Sequence, residues 1–271
     1  MSTQALQTAA RPRSFVAVIG PDAASYLQRM VSNDVEILEP SEACQALLLT
    51  AKARLIAPLI VLRRGSDDFL LLTELSLGDR VVKELVRFRF AAKCSIELEI
   101  HSSTIAFGEP PEGSIPTTDY GVPAYELLDA DPARADLLPA EELERLRILA
   151  ATPAWGRELD ERVLPAEAGL EERAISFTKG CYPGQEPVAR LHYRGHPNRG
   201  LRTLEFAGDD LPVYDAELTL DGKVVGRVTS AVADRGRVLA LAYVRREVPD
   251  DAVLLHGSAP ATQLHSPSPR P

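Results

Sequence analysis

The chain has 271 residues, 45% hydrophobic and 25% charged, enough to bury a core and, by length, to divide into about two domains. Its longest apolar runs, such as 55–62, fall far short of the ~20 residues that span a bilayer, and residues 1–19 lack a continuous apolar core, so neither a transmembrane helix, a secretory signal nor a membrane partner is expected. A formal net charge of -9 argues against indiscriminate binding to nucleic acid or anionic membrane.

Alternation over 14–19 predicts a short strand, after which Gly20-Pro21-Asp22 opens a helix with Ala23, Leu27, Met30 and Val31 on its apolar face and Asn33-Asp34 at its close. Residues 44–50 and 55–62 read as buried strands, and 69–73 as a third after the turn Gly65-Ser66-Asp67-Asp68. Leu77, Val81, Leu85 and Phe88 recur at helical spacing, and 94–100 returns to a strand with Ile96, Leu98 and Ile100 on one face. The N-terminal half is therefore α+β. Residues 108–123, rich in Pro and Gly, read as a crossing between subdomains, followed by a strand at 125–128. Pro139 stands where an N1 proline would, and Leu143, Leu146 and Leu149 line one side of a helix ending before Pro153. Short strands at 201–206, 217–220, 223–230 and 238–244, with Asp221-Gly222 as a hairpin turn, predict a small antiparallel β-barrel. The expected division is an α+β region over 1–199, the barrel over 200–256 and a disordered Pro- and Ser-rich tail over 257–271.

Of the three cysteines, Cys44 and Cys94 lie in strand-like runs and read as small buried hydrophobes. No C-x-x-C pair occurs, so neither a disulfide framework nor a metal site is signalled, and a reducing compartment is expected. A cytoplasmic location is the simpler reading, a mitochondrial presequence the lesser one. Cys181 differs from the other two. It lies in Lys179-Gly180-Cys181-Tyr182-Pro183-Gly184-Gln185-Glu186, where a glycine on each side permits positive φ and close approach, and proline stiffens the turn. Lys179, the arginines downstream and a helix start within 184–193 would favour its thiolate, which leaves nucleophilic or redox chemistry open beside a structural turn. His192 and His196 lack an evident orienting carboxylate, so a cysteine hydrolase is a weak alternative. Between 179 and 202 five basic residues, Lys179, Arg190, Arg194, Arg199 and Arg202, face one acid, Glu186. The cluster reads either as a solvated face or as a site for a polycarboxylate, a nucleotide or an RNA backbone.

Lys-Gly-Cys-Tyr-x-Gly-Gln-Glu resembles the hallmark of the YgfZ-type folate-binding proteins, relatives of the aminomethyltransferase (T-protein) of the glycine cleavage system. The resemblance extends to Gly20-Pro21-Asp22-Ala23 through Asn33-Asp34-Val35, to 50–64, to Arg147-Ile148 through Pro153 and Trp155-Gly156, and to Gly226-Arg227-Val228-Thr229-Ser230. It covers most of the chain up to about Arg246. It implies aminomethyltransferase-like α+β subdomains around a folate-sized central hole, closed by the β-barrel.

The T-protein carries a carboxylate for the reacting folate nitrogens on the strand that corresponds to 55–62. Here that position falls at Pro58, no acid occurs over 51–64, and the glutamate that would face the pterin falls at Leu149. Glycine-cleavage activity is therefore not expected. The resemblance implies instead an accessory factor that binds tetrahydrofolate or a derivative and supports assembly or repair of iron-sulfur enzymes. One client class is a tRNA-thiomethylating enzyme, an indirect link to tRNA. Cys181 is then the functional thiol, with Tyr182, Gln185 and Glu186 shaping its loop. Lys179 and Arg190 are candidates for the carboxylates of the folate tail by charge and position, and Arg147 and Trp155 for the pocket lining, Trp155 by stacking or as a core aromatic. The alternatives are a folate-dependent one-carbon transferase and a scaffold for an iron-sulfur or RNA-modifying partner.

Overall fold

The computed structural model describes residues 7–130 and 136–264. In chain order the first elements are β1 (Gln7–Ala10), β2 (Arg13–Ile19), α1 (Ala23–Met30), β3 (Ala43–Leu49), β4 (Leu55–Arg63), β5 (Asp68–Glu74), α2 (Gly78–Phe88) and β6 (Ser95–Glu99). There follow β7 (Ser103–Phe107), β8 (Ile115–Thr117), β9 (Ala124–Leu128), β10 (Asp136–Leu137), α3 (Ala140–Leu149), α4 (Glu171–Ala174) and α5 (Gln185–Arg194). The last are β11 (Arg199–Ala207), β12 (Glu217–Leu220), β13 (Lys223–Ala233), β14 (Arg237–Arg245), β15 (Leu254–His256) and β16 (Ala259–Leu264). They form one sheet in the order β3-β4-β5-β2-β6, a second in the order β10-β1-β7-β9-β8, and a closed barrel β11-β14-β13-β12-β15-β16.

The first sheet is buried on both faces. Val16, Val18, Phe69 and Leu71 meet Ala23 and Leu27 of α1 and Val81 and Leu85 of α2. Their neighbours Phe15, Leu70 and Leu72 alternate to the opposite face and bury with Ile60 against Ile115 of β8. Double coverage explains why β4 and β5 read as uninterrupted apolar runs. The face expected of Ile96, Leu98 and Ile100 stops at Ile96, because β6 is the edge of the sheet and Ile100 lies past its end. Phe88, at the last turn of α2, is likewise exposed.

In α3, Pro139 is the N-cap rather than the first helical residue. The leucine stripe expected there is only half-buried. The deep side carries Arg147 and Ile148, since the helix is wedged between two surfaces: Leu143 and Leu146 pack toward Ile105 and Tyr120, Leu149 toward Leu239 and Leu241 of the barrel. Asp221 and Gly222 both take positive φ, 51° and 75°, the conformation a two-residue hairpin turn needs between β12 and β13. The disordered tail expected from 257 is corrected over Ala259–Leu264, where β16 pairs with β11 from Thr203↔Leu264 to Phe206↔Ala261 and closes the barrel. Its buried residues are Ala261 and Gln263, one too small and the other too polar to mark an apolar face. Gln263 Nε2 donates to the carbonyl oxygens of Pro249 and Ala252, each at 2.8 Å. Residues 265–271 lie outside the described residues.

Candidate functional site

Cys181 is exposed on the loop between α4 and α5, and the residues around it are anchored. Lys179 is buried, and its Nζ donates to the carbonyl oxygens of Val31 at 2.8 Å and Asn33 at 2.6 Å, just past the end of α1. Burial pulls this ammonium down to about 8. Tyr182 packs among Leu47, Leu55 and Val188, and burial pushes its phenol up to about 12. Gly184 has φ +86°, and a Cβ there would stand 2.6 Å from the carbonyl oxygen of Thr50, so the loop closes tightly on the β3–β4 turn. Gly180 has no positive φ and nothing within 4 Å of an added Cβ, so only one of the two flanking glycines is required by the backbone. Ser32 completes the attachment: its hydroxyl donates to Ala174 at 2.6 Å and accepts the Leu47 amide at 2.8 Å. The Asn-Asp end of α1, the β3–β4 turn and the cysteine loop thus form one stitched unit with a thiol at its surface.

Gln185 and Glu186 open α5 and border a shallow outer depression with Ala51 and Arg190. Arg190 and Arg194 also flank a groove floored by Leu164, Pro165, Val188 and Leu191. His192 stacks on Phe177 with centroids 3.9 Å apart, and its Nδ1 is 3.9 Å from Glu171 Oε2, a carboxylate that local sequence did not reveal. Among the described residues no hydrogen bond joins either His192 or His196 to Cys181. Cys94 is buried and Cys44 half-buried, and burial pushes the Cys44 thiol up to about 12, in keeping with small hydrophobes.

The central cavity lies elsewhere. Its wall includes Arg11, Arg13, Gln45, Pro58, Glu74, Asp119, Tyr120, Arg147 and Arg173, drawn from the first sheet, the loops after β1 and β8, α3 and α4. About 70 Å³ of it admits the centre of a water molecule within some 670 Å³ of free space that includes its mouth. Pro58 is tolerated in β4 because the backbone pairing with β5 begins only at Ile60, and its carbonyl accepts instead from Thr73 Oγ1 of β5 at 2.9 Å. Arg11 Nη2 bonds Glu74 at 3.0 Å, while its Nε is buried without a partner. The Tyr120 phenol is pushed up to about 12 by burial and so stays a donor. Asp119 accepts from Gln45 at 3.2 Å and lies 3.4 Å from Arg173. Glu74 and Asp119 are carboxylates that sequence reasoning missed, one at a strand end and one in the Pro/Gly-rich crossing.

Of the residues expected to bind cofactor, only Arg147 reaches this wall; Lys179, Tyr182, Gln185, Glu186, Arg190 and Trp155 do not. Trp155 instead packs between the α1/α2 core and the cluster beneath the cysteine loop. Arg147 is saturated. Its Nε and Nη2 donate to Glu144 at 2.8 and 2.6 Å, Nη1 to the Thr152 carbonyl at 2.6 Å and Glu158 at 3.0 Å, and Nη2 also to Ser230 Oγ at 2.8 Å. No N–H is left for a ligand. The stretches around 147–156 and 226–230 therefore converge on a buried junction between α3 and the barrel.

Among the described residues no helix is long and apolar enough to cross a membrane, and no group of three or more His, Cys, Asp or Glu is placed to hold a metal ion. No family model matches the chain. It is 30% identical over 279 residues to the tRNA-modifying protein YgfZ of Edwardsiella ictaluri, covering 88% of this chain and 84% of that one. The iron-sulfur cluster assembly factor IBA57 homolog, mitochondrial, of Pyricularia oryzae is 28% identical over 298 residues, covering 96% and 76%. Among solved structures, the glycine cleavage system aminomethyltransferase T from Bartonella henselae matches with a TM-score of 0.82 over 97% of this chain and 86% of that chain, at 17% identity, a likeness of fold.

Proposed function

Because the chain belongs to the YgfZ family and has the T-protein fold, we propose that it is a tetrahydrofolate-binding accessory protein that acts in the cytoplasm, supporting iron-sulfur cluster assembly or repair and, through client enzymes, tRNA modification. The observation that carries this reading is the separation of the exposed Cys181 from the central cavity. A thiol held rigidly at the surface, away from the cavity, is available to a partner protein rather than to a ligand within.

Folate enters through the cavity. The buried Arg11 Nε without an acceptor, the Tyr120 hydroxyl and the Gln45–Asp119 pair offer donors and an acceptor to the edge of a pterin, so the residues present fit its head group. When bound, the pterin would supply one-carbon chemistry. Pro58 in place of an acid leaves a developing charge on its reacting nitrogens without a partner from β4. Arg147 has every donor committed within the protein, and Lys179 is buried away from the cavity wall with two of its three donors on Val31 and Asn33, so the tail carboxylates would need other cations, Arg11 or Arg173 on the wall being nearest in kind.

A one-carbon transferase is kept as the second reading by one observation: Asp119, on the cavity wall, is a carboxylate that could take over the missing role. The deciding experiment titrates the protein with tetrahydrofolate and compares Cys181→Ser and Asp119→Asn in restoring iron-sulfur enzyme activity to a strain lacking the protein. The accessory reading expects folate binding, loss of rescue with Cys181→Ser and retention with Asp119→Asn. Full rescue by Cys181→Ser with failure of Asp119→Asn would transfer the function to the cavity.

A further inference from the structure

The turn after α2 combines charge, aromatic surface and backbone strain away from both the cavity and the cysteine loop. Residues 83–93 carry Lys83, Arg87, Arg89 and Lys93 against a single acid, Glu84, in a chain of net charge -9. Phe88 is 40% exposed and Phe90 87% exposed. Phe90 also has φ +42°, the left-handed region that a bulky side chain seldom enters.

The base of the turn is pinned. The Lys93 amide donates to Asp22 Oδ2 at 2.7 Å, the Lys93 carbonyl occupies the space a side chain at Gly20 would need, and Arg89 Nη1 donates to the Cys94 carbonyl at 3.2 Å. A strained residue held by its surroundings and offering its ring to water is not explained by packing. One cation already stands over a ring: Arg87 Cζ is 5.1 Å from the centroid of Phe88, and its Nη1 lies 3.7 Å from Glu84 on the helix surface.

We propose that this turn binds single-stranded nucleic acid, with unpaired bases stacked on Phe90 and Phe88 and phosphates paired with Arg87, Arg89 and Lys93. Exposed rings alternating with cations are what an unstacked base and its flanking phosphates require, and the planar guanidinium meets phosphate oxygens in pairs. An anionic membrane would call for a broader apolar face than two rings and Val86 provide. The contact shares no residue with the cavity or the Cys181 loop, so it stands or falls apart from the reading above.

Fluorescence anisotropy of the whole chain with a labelled single-stranded oligouridylate tests it. Affinity falls with salt, with a log–log slope of about -2 for three phosphate contacts. Phe90→Gly, which removes the ring while relieving the left-handed strain, lowers affinity by about tenfold or more. Arg87→Gln with Arg89→Gln flattens the salt slope by about 1–2. Circular dichroism verifies that each variant is folded. Binding that ignores salt, undiminished affinity in folded Phe90→Gly, or preference for phosphatidylserine vesicles over the oligonucleotide would each overturn the proposal.

Discussion

Arg147 Nη2 and Ser230 Oγ lie 2.8 Å apart, and through them α3 is fastened to the barrel. The same serine hydroxyl donates to Glu158 at 2.7 Å, and Glu158 accepts from Arg147, so the three close a buried triangle that Glu144 extends. Arg147→Met leaves Glu158 as a buried carboxylate without its cation and is expected to cost roughly 3–5 kcal/mol of unfolding free energy. Urea denaturation measures it. Adding Glu158→Gln should recover part of the loss; strictly additive losses would mean that the two side chains act independently.

The two glycines beside Cys181 are expected to differ. Gly184→Ala must hold φ +86° and push its Cβ against the Thr50 carbonyl, a cost of at least ~1–2 kcal/mol from the backbone alone. Gly180→Ala meets no neighbour and should stay within about 0.5 kcal/mol of the wild type. Thermal melts supply the stabilities. Rescue assays should fail for Gly184→Ala alone if the loop must hold Cys181 in place; equal behaviour of the two variants would remove that requirement.

Lys179→Met removes the donor shared by the Val31 and Asn33 carbonyls and should cost about 1–3 kcal/mol. It should also change the pH profile. The folded state releases this proton near pH 8, while the unfolded chain holds it to about 10.5. The unfolded chain therefore binds more protons in that window, and stability rises with pH through it. Lys179→Met should lack that rise. Subtracting the variant's profile from that of the wild type isolates the lysine from the tyrosines that titrate nearby, and a flat difference would show that its ammonium keeps an ordinary pKa.

The parts legible in sequence were those set by local pattern. Strands β4 and β5 were clear because both faces are buried, and the cysteine loop because its residue types are unusual at short spacing. Contacts over long separations were not. Lys179 meets Val31 across 148 positions and Ser230 meets Glu158 across 72, so the lysine read as a ligand for anions and the serine as part of a motif without a partner. Strand β16 was hidden by its small and polar buried residues, Ala261 and Gln263. The cavity carboxylates Glu74 and Asp119 share a wall only because the loop after β8 folds back to the end of β5, and nothing near either residue signals the other.

His101 should give the protein a pH-sensitive clasp between its two sheets. Its Nε2 lies 2.9 Å from Glu99 at the end of β6 and its Nδ1 2.6 Å from Asp129 just past β9. Arg64 and Asp68 flank Glu99, the Ser102 amide donates to Asp129 at 2.8 Å, and the Phe15 ring meets the imidazole edge-on at 5.3 Å. The hydrogen bond to Glu99, followed by burial in opposition and then Asp129, raises the imidazole above its ordinary 6.5. A raised folded pKa means that the stabilisation is complete below 6.5 and is lost as pH climbs through the folded value. On the acid side Arg64 holds Glu99 at about 2, so its share is complete above 4.5 and disappears as pH falls toward about 2. The clasp is then strongest from 4.5 to 6.5. Because the site is partly solvated, its worth is about 1 kcal/mol or less. His101→Gln should lower the melting temperature at pH 6 and converge on the wild type in alkali, where the imidazole is neutral in both folded and unfolded chains. Parallel profiles for the two proteins across that range would show that protonation of His101 does not hold the sheets together, and would leave the short contacts as packing around a neutral ring.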